Sequence, residues 1–203
     1  MSIQARIERE LKYLGTVVPN GFSIGLHIRF TSPLMMFQTY DQAWLDHYTE
    51  NGYVLRDPCV AWGFSTTGTV RWSDLALPDP FGLFKEAAEY GLLYGMTSAH
   101  GPIRSRTIAS FARGDREFTD EEIEMIHAVV GGLHDLTEPP DELTKAQIEA
   151  LRCIAGGDRH AAAAAKLGIS ESALKARITS ARTRLMARTT AEAIQRAKDY
   201  RLI

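Results

Sequence analysis

Three aromatic residues recur at intervals of four, Tyr40, Trp44 and Tyr48, with Asp57-Pro58 shortly after and Trp72 fifteen residues beyond Asp57. Phenol O–H and indole N–H groups are polar handles on apolar bodies. With one carboxylate acceptor among them, they could line a small apolar pocket that orients an amphiphilic ligand. Aromatics at helical spacing also build an ordinary core, and Asp-Pro also makes a turn, so spacing alone leaves both readings open. A second group lies in the last quarter: Ser172, Lys175, Arg177, Thr179 and Arg182 share one helical segment whose other side carries Leu174, Ile178, Ala181 and Leu185. Polar and basic side chains on one helix face are what base edges and phosphates require.

Other chemistry is poorly supported. The six histidines (27, 47, 100, 127, 134 and 160) show no metal-ligand spacing, and no Ser or Cys has a recognisable nucleophile context, so neither an enzyme nor a cofactor is expected. His100 before Gly101 reads as a turn residue. Cys59 and Cys153 stand far apart without CxxC or His partners, which argues against a disulfide framework and for a reducing cytoplasm. Cys59, two residues from Asp57, reads as a buried thiol on the same side.

The elements that must position these groups follow from periodicity. Phe22, Ile24, Leu26, Ile28 and Phe30 alternate with Ser23, Gly25, His27 and Arg29, the pattern of a half-buried strand, and residues 35–40 could pair with it. Residues 42–51 read as a helix stopped by Gly52, 66–72 as a strand, 81–93 as a helix, and 108–112 as another strand. Thr119 opens a helix with an acidic first turn and an apolar face of Ile123, Ile126, Val129, Val130 and Leu133. Strands mixed with helices on one sheet predict an α+β fold with an N-terminal α/β/α sandwich, its sheet mixed or antiparallel.

Residues 137–143 contain Pro139-Pro140, which cannot continue a helix, and read as a linker between domains at 1–136 and 144–203. Charge divides nearby. Residues 1–141 hold 11 Lys/Arg against 19 Asp/Glu, net −8, and residues 142–203 hold 12 against 6, net +6. A basic module beside an acidic one points to a polyanion partner for the tail. No stretch approaches the roughly 20 apolar residues of a membrane span, and the opening Met1-Ser2-Ile3-Gln4-Ala5-Arg6 is too polar for a secretory signal. The tail shows no strand signal. Helices near 148–155, 159–167 and 171–185, with Gly156-Gly157 and Gly168 between them and Ser170 able to cap the last, predict an all-α helix-turn-helix domain.

Leu143-Thr144, Leu151, Ile154-Ala155, Gly157, Leu167-Gly168-Ile169-Ser170 and Ala173-Leu174-Lys175 resemble the C-terminal pattern of LuxR-type regulators. Residues 188–193 are similar to that family's fourth helix, which helps dimerise the module. Upstream, Tyr40-x3-Trp44-x3-Tyr48, Asp57-Pro58 and Trp72, with Gly95-Met96-Thr97 and Ile108-Ala109-Ser110-Phe111, resemble the autoinducer-binding domain of quorum-sensing receptors in the same family.

The resemblance implies an N-acyl-homoserine lactone ligand. It implies that Trp44 donates to the lactone carbonyl, Asp57 accepts the amide N–H, and Tyr40 and Ser110 hold the amide carbonyl. Trp72 would pack on the lactone ring and Tyr48 along the acyl chain. It further implies a homodimer that reads double-stranded operator DNA through 171–185, with RNA polymerase as a further partner. The alternative is a LuxR-like regulator that acts without ligand or by pairing with another regulator. Departures from the pattern are a short N-terminus, Ala99 in place of a common proline, no glycines in residues 102–107, Gln147 in place of a usual Glu, and the run Ala161–Ala165. Arg104 and Arg106 read as the solvated tip of a hairpin, or as residues that alter closure of the pocket.

Overall fold

The computed structural model describes residues 3–28, 32–74, 77–138, 143–200 and 202–203. Met1 and Ser2, Arg29 and Phe30 of the first expected strand, and linker residues 139–142 lie outside the described residues. The chain divides into two compact units, Met1–Glu138 and Pro139–Ile203.

The first unit runs α1 (Ile3–Val17), β1 (Phe22–Ile28), β2 (Met35–Gln38), α2 (Gln42–Glu50), a 3-10 turn (Tyr53–Leu55), α3 (Pro58–Ser65), β3 (Gly68–Arg71), α4 (Leu83–Glu89), β4 (Tyr94–His100), a second 3-10 turn (Ile103–Ser105), β5 (Arg106–Arg113) and α5 (Asp120–Thr137). The strands form one sheet in the order β2-β1-β5-β4-β3, with every neighbour antiparallel. Antiparallel pairing suits a sheet whose two faces carry different covers. On one face α1 and α5 bury Leu14, Phe22, Ile24, Leu26, Phe111, Ile126 and Leu133 completely or nearly so. Alternate residues of β5, Ile108 and Ser110, turn to the opposite face, where α2, α3 and α4 enclose a cavity.

Local chemistry sets the helix ends. Thr119 and Glu122 form a capping box at the start of α5, satisfying two amide N–H groups that the helix leaves open, typically for about 1 kcal/mol. Asp57 caps α3, and Pro58 occupies its first turn, where a missing N–H costs nothing. Asp57-Pro58 is therefore a helix start rather than a free turn. α4 is shorter than its periodicity suggests, because Gly91 takes a left-handed φ of 82° and the chain enters β4.

The alternation of β1 does not run through to Ile28. A register shift lies between Gly25 and Ile28, and His27 adopts φ 51° while fully buried. A bulge of this kind moves the following side chain to the other face, so Ile28 lines the cavity instead of the α1–α5 core. His27 is held in place by Ser105 Oγ at 2.8 Å, the His134 carbonyl at 2.9 Å and Thr137 Oγ1 at 3.1 Å. His100 ends β4 rather than sitting in a turn, and its Nε2 donates to the His127 carbonyl at 3.0 Å. Arg106 is not a solvated tip: it is 7% exposed, while Arg104 is exposed.

The second unit contains α6 (Lys145–Ala155), α7 (His160–Lys166), α8 (Glu171–Arg184) and α9 (Thr190–Asp199). Ala150, Ala163, Ala164, Leu174 and Ile178 make its core, the small side chains allowing α7 to lie close on α6 and α8. Gly168, at φ 65°, turns the chain between α7 and α8, and Ser170 Oγ caps α8. Gln147 completes a capping box with Thr144 and donates through Nε2 to Ser180 Oγ at 2.9 Å, so the amide ties α6 to α8. Among the described residues no helix is long and apolar enough to cross a membrane.

Candidate ligand pocket

The cavity between the sheet and α2, α3 and α4 has a volume of about 340 Å³. Tyr40, Trp44, Tyr48, Asp57, Trp72 and Ser110 all line it. The remainder is largely apolar: Gly25, Ile28, Pro33 and Met36 from β1, β2 and their connection, Val60 and Phe64 from α3, and Leu83 and Phe84 from α4.

Asp57 is the polar centre. Its Oδ1 accepts the Cys59 backbone N–H at 2.7 Å, and its Oδ2 accepts the Tyr48 hydroxyl at 2.8 Å. Burial pushes the Asp57 carboxyl above its ordinary range, and these donors offset only part of that rise. Such bonds are what make a buried carboxylate tolerable. The Tyr40 and Tyr48 hydroxyls are pushed up by burial first and by nearby negative charge second, so both remain protonated donors. Burial and the Asp57 charge also raise the Cys59 thiol. A thiol held neutral is neither a nucleophile nor a metal ligand, and among the described residues no cluster of three or more His, Cys, Asp or Glu could hold a metal ion.

The other polar groups differ in how committed they are. Tyr40 Oη donates to the Ser110 carbonyl at 2.9 Å. Trp72 Nε1 donates to Thr97 Oγ1 at 3.2 Å, and Thr97 Oγ1 lies 3.3 Å from Ser110 Oγ. The Trp44 indole N–H has no hydrogen-bond partner among the described residues, while its ring packs against Tyr48, Tyr53 and Tyr90 at centroid distances of 5.8, 6.3 and 5.4 Å. A buried ring with an unspent donor on a cavity wall is equipped to bind a carbonyl oxygen.

Several contributors lie beyond the spaced aromatics. Trp72 stacks on Phe84 at 4.9 Å and lies so flat on the sheet that a Cβ at Gly95 would fall 2.1 Å from its ring. Gly63 brings α3 against Ile108 in the same way: a Cβ there would fall 2.8 Å from the Ile108 side chain, too close to fit without a shift. The Gly95-Met96-Thr97 segment carried a signal for the first. The apolar run of α3 carried none, because no polar face interrupts it.

In the second unit Ser172, Lys175 and Thr179 are exposed on α8, and Arg177 is half-buried. Arg182 is also half-buried, and its Nη2 donates to the Arg188 carbonyl at 2.8 Å, joining α8 to the segment before α9.

The family model described as the autoinducer binding domain matches residues 21–135. The chain is 31% identical over 185 residues to the HTH-type quorum-sensing regulator RhlR of Pseudomonas aeruginosa, covering 83% of this chain and 76% of the relative. It is 26% identical over 181 residues to the transcriptional activator protein RaiR of Rhizobium etli, covering 80% and 74%. Its fold is similar to the crystal structure of Escherichia coli SdiA, with TM-score 0.53 and 22% identity over 99% of this chain and 90% of that one. It is also similar to SdiA in complex with octanoyl-rac-glycerol, with TM-score 0.55 and 19% identity over 98% and 89%. On the matched domain and the relatives that share it, the chain belongs to the LuxR-type quorum-sensing transcriptional regulators, which are not enzymes.

Proposed function

We propose that the first unit binds an N-acyl-homoserine lactone and that the second reads operator DNA as a helix-turn-helix. The observation that carries the ligand assignment is the pairing, on one apolar cavity, of the unspent Trp44 donor with the Asp57 acceptor. A lactone carbonyl takes the first, and an amide N–H gives to the second. The amide carbonyl then receives the Ser110 hydroxyl, and the Tyr40 hydroxyl when its proton turns from the Ser110 carbonyl to the ligand. The lactone ring lies on Trp72, and the acyl chain fills the wall of Ile28, Pro33, Met36 and Phe64. Tyr48 borders the chain with its ring while its hydroxyl holds Asp57.

α7, the Gly168 turn and α8 have the order and spacing of a helix-turn-helix. Lys175 and Thr179 face base edges in the major groove, Ser172 and Arg177 flank them, and Arg182 supports the end of α8 beside the phosphates. The active species is a cytoplasmic homodimer on a two-fold operator, with RNA polymerase as its further partner. Ligand stabilises the sensing unit in the form that pairs correctly.

Thermal unfolding across a panel of unsubstituted acyl-homoserine lactones, with 1-octanoylglycerol as an acyl compound lacking the amide, tests the ligand. A lactone at 100-fold excess over Kd adds about 2.7 kcal/mol, a clear rise in Tm. No rise with any lactone supports a regulator that works without ligand, and a rise with octanoylglycerol alone removes Asp57 from the assigned role.

A further inference from the structure

Three short segments make the outer wall of the cavity: α2 with Trp44 and Tyr48, the 3-10 turn with Val54 and Leu55, and α4 with Leu83 and Phe84. They meet at one carboxylate that does not line the cavity. Glu86 of α4 accepts the Tyr53 hydroxyl, from the first residue of the 3-10 turn, and His47 Nε2 of α2 at 2.9 Å. Asn51 Nδ2 donates to His47 Nδ1 at 3.3 Å, which leaves the His47 proton on Nε2 and directed at Glu86. The His47 ring stacks on Tyr90 at 5.2 Å, and Tyr90 packs on Trp44.

The 3-10 turn and α4 each begin at a left-handed glycine, Gly52 at φ 61° and Gly82 at φ 72°. At neither would a Cβ meet any atom within 4 Å, so the pivots have open space. The rim is apolar and open to solvent, with Leu55 at 92% and Val54 at 55% exposure. The Glu86 and His47 side chains are themselves 39% and 30% exposed, so water can compete for these bonds and they can break without unfolding the sheet.

We propose that Glu86 is the positioning residue of this wall: its carboxylate latches α4, α2 and the 3-10 turn together, and ligand enters and leaves the cavity when the latch opens. The proposal rests on the lactone reading above for the identity of the ligand, but not for the latch itself. A gate that opens and closes alike with and without ligand changes both rates and leaves their ratio nearly alone. Damage to the binding surface instead changes the ratio.

The test is stopped-flow binding of N-octanoyl-homoserine lactone to the full chain, followed by tryptophan fluorescence, for wild type, Glu86→Ala, Glu86→Gln and Tyr53→Phe. Glu86→Ala should raise association and dissociation rates together by about fivefold or more, the scale of losing partly exposed charge-assisted hydrogen bonds, with Kd changed less than about threefold. Glu86→Gln keeps an acceptor for Tyr53 and should fall between Ala and wild type, while Tyr53→Phe should raise both rates. Unchanged rates, or faster dissociation alone with Kd weakened in proportion, overturn the latch.

Hydrogen exchange on the ligand-free chains gives the arm that needs no ligand. Residues 83–89 and 53–55 should exchange faster in Glu86→Ala while β1 and β5 keep their protection. If wild type binds no lactone, the ligand reading fails and this exchange comparison alone judges the latch, with unchanged exchange overturning it. If Glu86→Ala also exposes the sheet, Tyr53→Phe carries the same comparison.

Discussion

Tyr48 Oη donates to Asp57 Oδ2 at 2.8 Å across the start of α3, so the ring nine residues upstream decides how the buried carboxylate is presented. Tyr48→Phe keeps the ring against the cavity and removes this donor. Burial already raises the Asp57 carboxyl, and the Tyr48 bond is the first of the effects that lower it. The variant should therefore bind lactone about tenfold more weakly, near 1.4 kcal/mol for a bond to a charged group. In the proposed binding mode the ionised carboxylate accepts the ligand amide, so affinity should decline as pH falls toward the Asp57 pKa, and in Tyr48→Phe that decline should begin at higher pH. Titration calorimetry at several pH values checks both expectations.

Gly95 is the floor under Trp72. A methyl there would sit 2.1 Å from the indole, and the ring cannot lift without leaving Phe84 and Thr97. Gly95→Ala should lower stability by about 1–3 kcal/mol, as overpacking does, shift tryptophan emission to the red and reduce lactone affinity. Denaturant unfolding and emission spectra of the variant measure this, and an unchanged spectrum would show that Trp72 does not depend on the bare backbone.

Acid should loosen the opposite side of the sheet. His100 and His127 stack at 3.9 Å, and His27 and His134 lie 4.3 Å apart. Burial, then the neighbouring His127, pushes the His100 pKa down to about 4. Burial also lowers His127 and His134. Arg106 opposes charge on His134, and the Asp135 and Glu138 carboxylates favour it. Folded pKa values below the unfolded value of about 6.5 mean that the unfolded chain takes up protons first. Stability from this group is whole above about pH 6.5 and declines as pH falls toward 4. Urea midpoints at pH 7.5 and pH 5 should differ in that direction, and His100→Gln should flatten the difference.

The proposed DNA reading assigns base contact and structural support to different residues of α8. Lys175→Ala and Thr179→Ala should relax sequence preference with little change in melting temperature. Arg182→Ala removes the bond to the Arg188 carbonyl, so it should lower the melting temperature by a few degrees as well as weaken binding to every sequence. With net +6 in residues 142–203, binding should also fall steeply with salt. Fluorescence anisotropy on matched and scrambled duplexes across a salt series measures all three.

The aromatic spacing and Asp57 were legible because a helix repeat and an Asp-Pro helix start are local features, and the structure gathers Tyr40, Trp44, Tyr48, Asp57, Trp72 and Ser110 on one cavity. What each polar atom is bonded to was not legible. The Tyr40 proton goes to the Ser110 carbonyl, the Tyr48 proton to Asp57 and the Trp72 proton to Thr97, all pairings across elements distant in sequence. The β1 bulge escaped for a similar reason. Nothing near His27 marks it, because the groups that hold its left-handed backbone, Ser105, His134 and Thr137, lie about 80 to 110 residues away. Helix α1 was missed because Ile7, Leu11 and Leu14 sit among charged residues, and their burial depends on α5 and the sheet. Caps and glycine stops in the second unit are local, and there the expected helices lie within a few residues of the observed ones.

The central claim is that Asp57 accepts an amide N–H from the ligand. Titration calorimetry of wild type and Asp57→Asn with N-octanoyl-homoserine lactone and its N-methyl amide analogue closes a cycle on that single bond. The wild type should lose about 1.5–3 kcal/mol on N-methylation, the range for a hydrogen bond to a charged group. Asp57→Asn should bind the parent lactone more weakly and lose much less when the amide is methylated. Equal losses in both proteins, or a wild type indifferent to methylation, would contradict the assignment.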